Sequence, residues 1–249
     1  MPPSSPPADA AHGNQNSRAR QILAAQVRLL YRNANVGVGV TLVATAILGR
    51  LQWDVVPHPI ILAWCLYMFL VSLGRFSLAR RYWRSALAGL EKGRWHAAFD
   101  IGAGLAGTGW GAAGILLYPE AHPANQVFLV FILGGMMLGA ASVLAPRLDA
   151  FLAFILPTGL APAVRLVLHG DEEHLALGLL AGLFTFAMFL TTRQIHLTIV
   201  SSLNLQFENQ GLVKDLQASL LQRKGSAEAL RESEQRFRAI FSQAAVGIT

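Results

Sequence analysis

Six stretches of this chain carry no Asp, Glu, Lys or Arg and are apolar over most of their length: residues 33–49, 55–74, 101–119, 121–146, 150–164 and 175–192. A helix that crosses a bilayer needs about 20 predominantly apolar residues, and it satisfies its own backbone hydrogen bonds where no water can. Each run is read as one crossing. The fifth is short, but Arg165 can extend its side chain to the interface while Leu166–Leu168 lengthen the run. It also contains Pro157 and Pro162, so a kink is expected. The only polar break between the fourth and fifth runs is Pro146-Arg147-Leu148-Asp149. If it were buried, the two would merge into a helix too long for a bilayer, so six crossings are favoured over five. The expected fold class is all-α, a six-transmembrane-helix bundle with a C-terminal cytoplasmic signalling helix or coiled coil.

Charge supplies a separate test of that count. With the N-terminus inside and six alternating crossings, every Lys and Arg of the 20 except Arg50 and Arg165 falls on the inner side. That is the bias of the positive-inside rule. The net charge of +6 is therefore a topology signal, and no nucleic-acid partner is expected. Only 14% of residues are charged, against about 25% in soluble domains, which again favours a polytopic membrane protein with lipid as its neighbour. The single cysteine, Cys65, lies in an apolar run and permits no intrachain disulfide. Trp53, Tyr82, Trp83, Trp95 and Tyr118 fall near predicted span ends, as interfacial aromatics do, whereas Trp64 and Trp110 lie deeper and read as packing residues.

Residues 1–20 are rich in Pro and Ser at their start and lack apolar residues that could form a core, so they are assigned to a disordered tail. Residues 21–34 mix Leu, Val and Ile with Arg28 and Arg32. They suit either a short interfacial helix or an inner extension of the first span. The expected division is a tail at 1–20, a six-helix membrane domain at 21–200, a signal helix at 201–235, and the start of a further domain at 236–249.

Gly102-Ala103-Gly104-Leu105-Ala106-Gly107 matches a dinucleotide-binding string. That chemistry requires a preceding strand and a helix N-terminus at the pyrophosphate, and here the string lies inside the third span. Close helix packing explains it better: Gly107 and Gly111 stand in GxxxG spacing, which Gly135/Gly139 and Gly178/Gly182 repeat. No Ser/His/Asp arrangement, catalytic carboxylate pair or phosphate loop occurs in a plausible context. No catalytic residue, cofactor or enzymatic activity is therefore assigned to this chain.

The predicted outer loops hold Asp54 and His58, then Glu120 and His122, then His169, Asp171, Glu172, Glu173 and His174. Imidazoles and carboxylates gathered from three loops can bind a divalent metal or titrate between about pH 5 and 8, which makes His58, Glu120, His122, His169 and His174 the candidate metal-ligating residues. Their spacing fits no defined ligand motif. Outer loops that exclude Lys and Arg also accumulate His and acids by default. Asp100 and Arg75 sit near the inner ends of the third and second spans, where ionisable groups are functional candidates and where the two can pair with each other. No span carries a charge near its middle, which disfavours the alternative of a small multi-pass transporter or channel.

Beyond Gln194 the pattern changes to a long polar helix. Val213, Leu216, Leu220, Ala227, Leu230 and Phe237 follow a heptad seam that Arg223 and Glu234 interrupt. A marginal parallel coiled coil fits this pattern, as does a solvated helix docked on its own domain. Leu-Arg-Glu-Ser-Glu-Gln-Arg-Phe-Arg-Ala-Ile-Phe from Leu230, followed by Ala-Ala-Val-Gly-Ile, resembles the leading helix and first turn of a PAS domain. The membrane part is similar to the multi-helix sensor (MASE-like) regions of bacterial signalling proteins. The similar features are Trp110-Gly111, Gly134-Gly135 through Gly139-Ala140, the Pro157/Pro162 span and Leu205-Gln206-Phe207-Glu208-Asn209. With the inner bias of Lys and Arg placing both termini in the cytoplasm and the heptad seam suiting a homodimer, these resemblances imply a sensory input module of the bacterial inner membrane. They further imply a truncated PAS domain and a downstream diguanylate cyclase, cyclic-di-GMP phosphodiesterase or sensor histidine kinase.

Overall fold

The structure, a computed structural model, describes residues 8–87 and 95–246. The start of the expected tail, Lys92 and Arg94 of the basic loop, and 247–249 of the PAS-like segment lie outside the described residues. The helices are α1 (Ala8–Leu51), α2 (His58–Leu87), α3 (Trp95–Leu116), α4 (Pro123–Val143), α5 (Leu148–Ile155), α6 (Ala161–His169) and α7 (Glu172–Val246). No strand occurs among the described residues, and the chain is an all-α bundle. α1 begins at Ala8, inside the stretch assigned to a tail, where Ala8, Ala10 and Ala11 are strong helix formers.

α5 and α6 are joined by a π-helical turn, Leu156–Leu160, so that Leu148–His169 forms one helical rod and the described chain has six rods. The π turn falls where Pro157 and Pro162 remove donors from the helical ladder. Thr158, buried in the turn, donates its hydroxyl to the Phe154 carbonyl at 2.7 Å and to the Gly107 carbonyl at 3.2 Å. The Pro146-Arg147 break is real: α4 ends at Val143 and α5 starts at Leu148.

Five of the six rods are long and apolar enough to cross a membrane, over Gln21–Leu51, His58–Ser85, Pro123–Val143, Leu148–His169 and Glu172–Glu228. Those crossings match the sequence expectation. α3 is not among them, although 101–119 reads as a span. Its face is built of Gly and Ala, which add little hydropathy, and ten of its residues from Phe99 to Gly114 are buried. The opposite face, with Ile101, Leu105 and Leu116, is exposed, so it is the Gly-rich packed side that lowers the mean hydropathy of this helix.

Small residues let α3 touch its neighbours at backbone distance. A Cβ on Gly107 would stand 2.3 Å from the Phe154 carbonyl oxygen, one on Gly111 2.1 Å from the Pro157 oxygen, and one on Gly114 2.4 Å from Pro162 Cγ. The α3 stripe thus seats the α5–α6 turn, as GxxxG spacing anticipates. Gly178 of α7 does the same against Val167 and the Ala163 oxygen. Gly135, Gly139 and Gly182 differ: nothing lies within 4 Å of a Cβ built there. Spacing places two glycines on one helix face, but it does not say whether a neighbour covers that face. On the other side of α3, Trp64 donates to the Gly109 carbonyl at 2.7 Å and meets Trp110 edge-on at 5.7 Å, both rings buried as expected.

The exterior of residues 21–200 is apolar: Phe131 is 80% exposed, with Val36, Leu62, Leu66, Phe69, Val127, Leu179 and Leu183 also open. Several buried threonine hydroxyls are satisfied within their own helices, as where Thr41 bonds the Gly37 carbonyl and Thr45 the Thr41 carbonyl. An apolar skin over a partly polar interior is the pattern of a protein solvated by lipid. This is a membrane protein.

The two ends of this bundle are chemically different. At one end Tyr31 stacks on Tyr82 at 4.0 Å and donates to the Trp95 carbonyl at 3.0 Å. At the same end Arg147 pairs with Asp100 at 3.9 Å and also binds Asp149. Asp100 therefore pairs with Arg147, not with Arg75, whose stem lies against Gly102. His196 also touches the Ala145 carbonyl, at 3.0 Å. At the other end the Asn125 amide donates to the Leu51 carbonyl at 2.7 Å, and the Gln52 amide donates to the Asn125 carbonyl at 3.2 Å.

The chain divides at Val200/Ser201 into two units. In the second, residues 201–246 are helical, and Leu205, Leu212, Val213, Leu216, Leu220, Leu221 and Leu230 are exposed.

Candidate functional site

The end of the bundle formed by the C-termini of α1, α3 and α6 and the N-termini of α2, α4 and α7 carries the histidines and acids singled out in the sequence. Its sharpest turn is Gly170, at φ +90°, which closes α6 in the left-handed conformation that a residue with a Cβ rarely adopts. One residue later Asp171 starts α7. Its Oδ1 accepts the His174 backbone N–H at 2.8 Å, so Asp171 caps the helix and satisfies one of its free donors. The cap also turns the His174 ring onto the same carboxylate, with Nδ1 at 2.6 and 2.8 Å from its two oxygens.

Two hydrogen bonds to one carboxylate have an electrostatic result. The His174 backbone N–H, and after it the ring, hold the Asp171 carboxyl below the usual range despite some loss of hydration. The ring of His169, last residue of α6, lies 4.4 Å from that of His174. Donor atoms of His169, Asp171 and His174 all fall within 4.8 Å of one another.

Tyr118, on the loop after α3, meets His174 edge-on at 5.8 Å. Burial pushes its phenol above the ordinary value; Arg165 opposes that rise, and Asp171, Glu120 and Glu173 add to it. Arg165 stands 5.5 Å over the Tyr118 ring, pairs with Glu120 at 3.3 Å and donates to the Ile115 carbonyl. Two polar atoms here are buried without a protein hydrogen-bond partner: His174 Nε2 and the Tyr118 hydroxyl.

Of the five candidate ligands, then, the structure joins His169 and His174 and adds Asp171. The other three lie apart. His58 stacks on Trp53 at 4.3 Å, Glu120 is engaged by Arg165, and His122 caps α4 with no side-chain hydrogen bond. Tyr118 and Arg165 were read as an interfacial aromatic and a snorkelling cation. Their part in the His174 corner depends on how the α3–α4 loop meets α6, which no local pattern encodes.

No family model, curated protein or solved structure matches this chain.

Proposed function

We propose that this chain is the membrane-embedded sensory input module of a bacterial receptor, relaying a stimulus through a helical linker to a PAS domain and a cyclic-di-GMP or histidine-kinase output. In this reading the bundle lies in the inner membrane with both termini cytoplasmic, and the His-bearing end faces outward. The observation that carries the reading is α7, assigned as a single helix from Glu172, beside the Asp171 cap, to Val246. A helix with one end in an outer corner and the other in a PAS-like segment is a direct conduit for rotation or translation.

Three further observations support it. The exposed leucines of residues 205–230 meet nothing else in the chain's second unit, which suits a seam between two copies in a homodimer. Within the bundle, Arg80, Arg81 and Arg84 lie with Tyr82 at the same end as Arg147 and Asp100, a bias of the kind that the positive-inside rule describes for a cytoplasmic face. The segment from Leu230 resembles a PAS leading helix.

The reading is tested in a fusion of residues 1–235 to a PAS-linked diguanylate cyclase, with one to four alanines inserted after Ala218. Each insertion rotates the downstream helix by about 100°. Cyclase activity is expected to vary with the number inserted and to recover near four. A flat series contradicts relay by helix phase, and solute flux in proteoliposomes by the bundle alone would favour a transporter.

A further inference from the structure

We propose that His169 and His174, with Asp171 orienting the second ring, bind one divalent transition-metal ion at the end of the bundle where α6 meets α7. The inference concerns binding only and does not depend on the signalling reading.

The argument begins with which nitrogen of His174 is free. An ionised carboxylate only accepts hydrogen bonds. With Asp171 Oδ1 and Oδ2 at 2.6 and 2.8 Å from Nδ1, the ring proton belongs on Nδ1. The lone pair of the neutral ring is then on Nε2. That atom is buried and accepts from no protein donor, an arrangement that calls for an explanation. A carboxylate holding one imidazole nitrogen while the other faces a cation is the recurrent support for metal-bound histidine, fixing the tautomer and making the ring more basic.

A second imidazole is already in place. The His169 ring lies 4.4 Å from that of His174. Nitrogen donors about 2.0–2.1 Å from a tetrahedral zinc stand about 3.3 Å apart, and one ligand atom each from His169, Asp171 and His174 already lies within 4.8 Å of the others. His169 is exposed and ends α6, so its ring has room to turn. Gly170 and the Asp171 cap hold the backbone between the two rings. The Tyr118 ring meets that of His174 edge-on at 5.8 Å, and its buried hydroxyl is likewise without a protein partner.

The donor set selects the class of ion. Imidazole suits Zn²⁺, Cu²⁺ and Ni²⁺, whereas Mg²⁺ and Ca²⁺ prefer sets composed of oxygen.

The test is calorimetric titration of the detergent-purified, tag-free full chain with Zn²⁺ and Ni²⁺, with Mg²⁺ as the control ion. One transition-metal ion per chain is expected, with no heat from Mg²⁺. His174→Gln and His169→Gln should each abolish that stoichiometry, and Asp171→Asn should weaken binding about 10–100-fold. His58→Gln, on the same end but stacked on Trp53, should bind as the parent does. X-ray absorption of the zinc form should show two imidazoles. Undiminished binding in His174→Gln overturns the proposal, as does a parent chain that takes up no zinc or a first shell without nitrogen. Circular dichroism of each variant separates a lost ligand from a lost fold.

Discussion

Gly111 and Gly139 occupy the same position in two identical GxxxG pairs, and the sequence treats them alike. The structure does not. A methyl at Gly111 meets the Pro157 carbonyl oxygen at 2.1 Å, part of a backbone that cannot turn aside, whereas one at Gly139 meets nothing within 4 Å. Gly111→Ala should therefore destabilise the bundle by about 1–3 kcal/mol, the usual cost of overpacking. Gly139→Ala should be neutral, or slightly stabilising through its better helix propensity. Thermal unfolding in detergent, followed by circular dichroism, separates them, and equal midpoints would contradict the packing described. The same limit of local pattern explains Asp100. Its depth was legible from its place at the start of an apolar run, but its partner was not: Arg75 is nearer in sequence, and Arg147 is brought to it by the α4–α5 corner. His174 was legible as a candidate ligand. The orphaned Nε2 was not, because it depends on how Asp171 caps α7.

At the scale of elements, helix existence was readable because lipid imposes one demand on every crossing, and runs free of charge announce it. Two elements escaped that logic for physical reasons. α3 packs one face of Gly and Ala against its neighbours and exposes only a narrow apolar face at Ile101, Leu105 and Leu116. The α5–α6 rod has its prolines where a kink was expected, but their result is a π turn seated on α3, set by the tertiary contact as much as by Pro157. Thr158 fastens that seat, with bonds of 2.7 Å within its own rod and 3.2 Å to the Gly107 carbonyl. Thr158→Val keeps the shape and removes both bonds. It should lower stability by about 1 kcal/mol, measurable as an earlier unfolding midpoint. A midpoint identical to the parent would show that the hydroxyl does not hold the joint. The Asn125–Gln52 clasp between α1 and α4 is another element-scale contact without a signature, since single Asn and Gln residues near span ends are common.

At the scale of the whole molecule, the proposed function requires α7 to cross the membrane once, with its His-bearing end outside and its far end inside. The apolar skin, the separation of basic and His-rich ends, and a helix running from Glu172 to Val246 all belong to that one picture. The most direct measurement is labelling of single cysteines by an impermeant maleimide in intact and in permeabilised cells, in a Cys65→Ala background. Cysteines at His122 and Glu172 should react in cells whose inner membrane is intact, whereas cysteines at Arg84 and Ser226 should react only after that membrane is opened. Labelling of Glu172→Cys and Ser226→Cys from the same side would contradict the account.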